Sequence, residues 1–203
     1  MTDTAAALHD VARADQALIQ AGLPLREGWV PRHIRREEHD GRPVTVVRFL
    51  KEARPGEGVH LTVVLDDDGV LLGYTRLDPE DPSLAGPLPA EHEAREAAFA
   101  FVTAFDPAYA AGLTVQWIAR HDEHVAGPDG PAVVSGVKVK TRHRDGLYAW
   151  VVIGPGGTVL TYERDIRWDA VAGRRGTQMW LHDVWIAARE GRGPQPSSPY
   201  ALA

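Results

Sequence analysis

Cysteine is absent from the 203-residue chain. That excludes disulfides, thiol nucleophiles, CxxC redox chemistry and cysteine-ligated zinc, and it fits a reducing cytoplasm. Lysine is nearly absent too, confined to Lys51, Lys138 and Lys140, while arginine, alanine, glycine and proline abound. Such a bias is what a GC-rich bacterial genome produces. Serine is restricted to Ser83, Ser135, Ser197 and Ser198, with no Gly-x-Ser-x-Gly elbow, so serine hydrolysis is not expected. No apolar run approaches the roughly 18 residues a membrane span needs. The first residues (Met1-Thr2-Asp3-Thr4) lack the basic region and apolar core of a secretory signal, so a cytoplasmic protein without membrane attachment is expected. A basic excess is missing as well. The formal net charge of −6 argues against nucleic acid as the main partner, because phosphate binding needs a basic footprint.

What the chain does contain is a repeat. One constant offset carries Gly58, Val63, Val64, Gly69, Leu72, Tyr74 and Arg76 onto Gly146, Val151, Val152, Gly157, Leu160, Tyr162 and Arg164 without a gap. The same offset carries Trp29, Arg32, His33 and Pro43 onto Trp117, Arg120, His121 and Pro131. A shared offset over separate segments is the signature of a tandem duplication. Each copy reads as a helix followed by four strands. The helices are expected near residues 5–21, closed by Gly22, and near 90–105, closed by Pro107. Asp40-Gly41, Asp129-Gly130, Asp68-Gly69 and Gly156-Gly157 are hairpin signals between β-rich runs.

Period-two alternation places Val59, Leu61, Val63 and Leu65, with Leu147, Ala149, Val151 and Ile153, on a face that meets the helices. The opposite face carries His60 and Thr62 in the first copy but Tyr148 and Trp150 in the second. A third helix near residues 177–189 should bury Leu181, Val184, Trp185 and Ala188, and the Gly-, Pro- and Ser-rich tail from 191 reads as disordered. The expected architecture is therefore α+β: two tandem helix-plus-four-stranded antiparallel units, residues 1–80 and 81–170, with a C-terminal capping helix and tail over 171–203.

A helix followed by an antiparallel meander, closed by a V-x-x-D-G-x-V-x-x-Y type hairpin over residues 63–74 and 151–162, resembles the PepSY and peptidase-propeptide group. Those are small cystatin-like units, often in tandem. The resemblance implies a non-catalytic domain that binds peptidases or peptides, and it transfers no functional residue. The missing secretion signal departs from the group's usual pattern.

Several clusters carry possible chemistry. His121-Asp122-Glu123-His124 is dense in metal-ligating types, but on a strand only His121 and Glu123 share a face, too few for a structural zinc site. His92-Glu93-Ala94-Arg95-Glu96 has Glu96 where a zincin helix needs its second histidine, and Gly154-Pro155-Gly156-Gly157 lacks the P-loop lysine. No metal or other cofactor is therefore expected. The stretch from Tyr162 to Trp185 is the most suggestive. His182 with Asp165 or Glu163 could do acid–base work, and Arg164 could clamp an anion. Tryptophans there, however, more often seal a helix onto a sheet.

The leading expectation is a non-catalytic binder of a peptide or protein, using Tyr148, Trp150, Arg164, Trp168 and Trp180 of the second copy. The rivals are a small-molecule biosynthetic enzyme built on His182, and an immunity-type protein neutralising a basic toxin through its acidic surface.

Overall fold

The computed structural model describes residues 2–52, 58–127 and 130–203. The chain begins with helix α1 (Thr2–Gln20), whose Ala14, Ala17 and Leu18 repeat at helical spacing and are buried. Strands β1 (Trp29–His39) and β2 (Arg42–Lys51) follow, joined by Asp40-Gly41. Both turn residues take positive φ, 54° and 77°, the type I′ geometry for which Asp-Gly is suited. Strands β3 (His60–Asp66) and β4 (Leu71–Leu77) complete a first set of consecutive antiparallel pairs.

Helices α2 (Glu91–Phe105) and α3 (Pro107–Ala110) precede a second set: β5 (Leu113–Gly127), β6 (Gly130–His143), β7 (Tyr148–Ile153) and β8 (Val159–Ile166). The residue Asp129 of the expected β5–β6 turn lies outside the described residues. A small ladder, β9 (Trp168–Asp169) with β10 (Arg174–Arg175), leads to helix α4 (Asp183–Arg189).

All eight main strands form one antiparallel sheet in the order β1-β2-β3-β4-β8-β7-β6-β5. The fold is thus α+β, and its centre is the β4–β8 pairing. There Tyr74 lies opposite Tyr162, flanked by Gly73 opposite Glu163 and Thr75 opposite Thr161. The two threonine hydroxyls are 2.8 Å apart and satisfy each other in the interior.

Both α1 and α2 pack on one face of this sheet. Val63, Leu65, Val151, Ile153 and both tyrosines belong to the shared core beneath them. Tyr162 is fully buried and meets Phe101 and Phe105 edge-on at 5.5 and 5.6 Å.

The second face is where sequence and structure part. Over the first four strands it is covered: Met179, Trp180, Leu181, Trp185, Ile186 and Ala201 pack on Val44, Val46, Val64 and Leu72. His60 and Thr62, read as a polar surface, are consequently buried, with Thr62 Oγ1 2.8 Å from His60 Nδ1. The covering segment is also less helical than its periodicity suggested. Residues 177–182 run as a non-helical strap because Arg175 donates to the Thr177 and Gln178 carbonyls, and Trp180 Nε1 to that of Glu38. Helix begins only at Asp183, which leaves Val184 exposed (55%) rather than in the core. The tail, read as disordered from composition, lies against the same cluster through Tyr200 and Ala201.

Over the second set of strands the covering is partial. The outer ends of β5 and β6 form a small cluster, with Val125 and Val134 on Leu77, Val152 and Leu160. The β5 end approaches Gly58 so closely that a Cβ there would lie 2.6 Å from the Ala126 nitrogen, and its φ of +102° is itself a glycine conformation.

Candidate functional site

Cross-strand register sets a single row on the second face: Trp117 (β5) opposite Lys140 (β6), Lys140 opposite Trp150 (β7), and Trp150 opposite Glu163 (β8). The row continues through Gly73, Val64 and Val46. Residues directly opposite one another in a sheet share a face, so the row grades from aromatic and basic at β5 to apolar at β2. The chain's own C-terminal strap covers the apolar end.

At the open end Lys140 Nζ lies 4.6 Å from the ring centre of Tyr148, 5.2 Å from Trp168 and 5.6 Å from Trp117. Trp117 and Trp168 are 44% and 37% exposed. Lys138 Nζ sits 4.0 Å over the Trp150 ring, with the Arg175 guanidinium 5.6 Å from the same ring. These are cation–π distances, and they hold two lysines and an arginine among four aromatic side chains. Burial lowers the Lys140 ammonium below its ordinary range. Burial lowers Lys138 further, to about 8, because Glu163 and Glu123 offset the desolvation only in part. Arg142, next on the same face of β6, lies 6.0 Å from the Tyr148 ring.

Beneath the aromatic row lies a buried ionic network. Glu163 Oε1 accepts from Arg175 Nη1 at 2.7 Å, with both side chains only 3% exposed. His182 Nε2 is 3.5 Å from Glu163 Oε2, and His182 Nδ1 is 4.0 Å from Glu123 Oε1. Glu123 in turn meets His121 Nε2 at 3.0 Å. Burial alone would raise the Glu163 carboxyl, but Arg175 and His182 outweigh it and hold the group far below the usual carboxylate range. A carboxylate so held neither donates nor accepts a proton near neutrality. Both nitrogens of His182 face carboxylates at ion-pair distances without a hydrogen bond, which places the imidazole between β5 and β8.

The residues singled out from sequence are therefore divided among several places. Tyr148, Trp150 and Trp168 share the open face. His182 and Glu163 meet, but Asp165 does not join them. It sits at φ 58° in a β-bulge, where two β8 residues, Arg164 and Asp165, oppose the single β7 residue Ala149 between the Trp150–Glu163 and Tyr148–Ile166 pairs. The bulge turns its carboxylate to Arg164 and Arg42, each at 3.3 Å. Arg164 donates to Asp106 at 2.7 Å and lies 3.4 Å over the Tyr109 ring, on the helix side of the sheet. Its repeat counterpart Arg76 pairs with Asp81 at 3.1 Å, so both arginines anchor segments that follow or precede a strand. Trp180 belongs to the strap and is buried against the sheet, with its ring 4.9 Å from Trp185, edge to face.

His121 and Glu123 do share a face, as alternation required. Among the described residues no group of three or more histidines and carboxylates is arranged to hold a metal ion.

Sequence reading missed Trp117, Lys138, Lys140, Arg142 and Arg175. Trp117 was hidden by the repeat itself, since its counterpart Trp29 is buried (7%) and the pair read as scaffold. The lysines carried a usable signal: a Lys-x-Lys step in a lysine-poor chain, one hairpin away from Tyr148-x-Trp150. The chain matches no protein-family model, and no curated protein is significantly similar to it.

Proposed function

We propose that this is a non-catalytic, cytoplasmic binding protein that recognises a peptide or protein through the open sheet face of its second half. The carrying observation is the cluster of Trp117, Tyr148 and Trp168 around Lys140. Tryptophan, tyrosine and arginine are the residues that dominate binding hot spots, and exposed aromatics gathered on one face of a sheet mark an interaction surface. Lys138, Lys140 and Arg142 make this face locally basic on a chain of net charge −6, which supports an acidic partner over a basic toxin. Because β5 is an outer strand of the sheet, an extended segment can pair with its backbone while alternate side chains meet the rings.

The same reading takes the chain as a tandem duplication of two cystatin-like helix-plus-four-strand units, similar to PepSY domains. The pairing of Tyr74 with Tyr162 at the centre of the sheet supports it. The enzyme alternative draws on His182, Glu163 and Asp165. The ion-paired state of Glu163 and the diversion of Asp165 to Arg42 and Arg164 favour the binder.

Fluorescence anisotropy with a labelled extended peptide alternating glutamate with tryptophan tests the proposal. Wild type should bind it, and Trp117→Ala/Trp168→Ala should weaken binding by about tenfold or more. Equal binding by wild type and the double variant would overturn the surface assignment. So would preference for the lysine-containing analogue of the peptide or for a thymidine oligonucleotide.

A further inference from the structure

We infer that the first half carries a separate small-molecule site, for an amphipathic carboxylate, in the cleft between β1–β2 and helix α4. The cleft has a volume of about 510 Å³, within the range of sites that enclose ligands of modest size. Val46, Leu50, Trp180 and Ile186 supply apolar walls, and Thr62 lies beside them. Among the lining residues, Arg35, Arg48 and Arg192 stand against the single carboxylate of Asp183. This combination of an apolar slot with guanidinium groups suits a molecule with a hydrocarbon body and an anionic head.

Arg48 is the principal anchor. Its side chain is 18% exposed, and Nη2 lies 2.6 Å from Asp183 Oδ1. Yet that oxygen is buried without a hydrogen bond of good geometry, so the contact is an ion pair and not a paired fork. Among the described residues the guanidinium makes no hydrogen bond, although it carries five N–H donors. A ligand carboxylate in the cleft would take two of them in the bidentate geometry that arginine favours. Arg35 and Arg192 both pair with Glu190 near α4, which keeps their positive ends beside the cleft. His60, behind Asp183 with Nε2 at 3.8 Å, is held neutral by burial, so it adds no further cation to the three arginines.

The site is independent of the aromatic face of the second half, since none of its lining residues belongs to that face. Calorimetric titration of the full chain with octanoate tests it, with 1-octanol, octylamine and acetate as controls. Octanoate should bind one to one, with each control weaker by about tenfold or more. Arg48→Met should weaken octanoate by about tenfold or more while leaving octanol unchanged. Ala187→Phe, which fills the cleft from its wall, should abolish binding of octanoate and octanol alike, with an unchanged circular dichroism spectrum. The inference is overturned if octanoate binds no tighter than octanol or octylamine, or if Ala187→Phe leaves octanoate binding intact. Equal loss of octanoate and octanol binding in Arg48→Met would overturn the anchor role of Arg48.

Discussion

Removing one member of the Glu163–Arg175 pair should cost far more than removing both. The two groups meet at 2.7 Å with 3% exposure each, so neither charge can recover hydration when the other is lost. Arg175→Met leaves an ionised carboxylate in the interior without its hydrogen-bonded partner, with His182 at 3.5 Å and the more distant charge of Lys138 remaining. It also strips the Thr177 and Gln178 carbonyls of their donor. A buried charge left without its partner costs about 3–5 kcal/mol. Glu163→Leu leaves a buried guanidinium that still holds two carbonyls, and its cost should fall toward the lower end of that range.

Replacing both side chains removes the desolvation of both charges, so the double variant should lose only about 1–3 kcal/mol, mostly from the orphaned carbonyls. Urea denaturation at pH 7, followed by tryptophan fluorescence and by circular dichroism, gives the four stabilities of the cycle. The expected departure from additivity exceeds about 2 kcal/mol. If the two single losses simply add, to within about 0.5 kcal/mol, the strap is not held by this pair and the network reasoning fails.

Three further outcomes follow from individual side chains. Lys138 titrates at about 8 when folded against 10.5 unfolded, so across that window the unfolded chain binds more protons and stability should rise with pH, a rise that Lys138→Met removes in urea titrations. His60 titrates at about 3 when folded against 6.5 unfolded, so stability should fall as pH drops below 6.5, and His60→Gln should flatten the segment above pH ~5 where carboxylates contribute little. In Gly136→Ala the new methyl would lie 2.6 Å from Val152 Cγ1 and 3.0 Å from the Ile153 carbonyl oxygen. It should lower stability by about 1–3 kcal/mol in thermal melts, whereas Trp117→Ala should stay within about 0.5 kcal/mol of wild type.

How much of this was legible in the sequence depends on the range of the interaction. Helix limits, the Asp40-Gly41 turn and the helix-facing strand residues follow from local chemistry, namely apolar spacing, glycine conformations and period-two alternation. The joining of β4 to β8 is a pairing between distant segments, and nothing local to either strand announces it. The strap was misread because Leu181 stands at helical spacing from Trp185 and Ala188, which do lie in α4, while the Arg175 hydrogen bonds hold residues 177–182 out of a helix. Asp165 was drawn into the candidate site by its place in the carboxylate-rich stretch that leads to His182, and a bulge removed it. A bulge shifts register by one residue and so reverses every inference from alternation beyond it.

The contrast between the two halves of the second sheet face bears on what the open half is for. In the first half, Val44, Val46 and Val64 are covered by Trp180, Leu181 and Trp185 of the same chain. An apolar sheet face gains about 25 cal/mol for each Å² taken out of water, which offsets the conformational entropy lost in ordering the covering segment. In the second half, Lys138 and Lys140 occupy positions facing the same way on β6, and the rings of Trp150, Tyr148 and Trp168 fold over their ammonium groups. Those lysines cover apolar ring surface with partly desolvated ammonium groups, and Lys138 keeps Glu163 and Glu123 as counter-charges. A hydrocarbon strap would complete the burial of the ammonium groups, at a cost that for Lys140 no carboxylate among its described partners offsets. An occupant bearing carboxylates would neutralise them while stacking on the rings. A face that holds cations among aromatic rings differs in this way from an unfinished apolar core, and the difference is what the proposed binding role rests on.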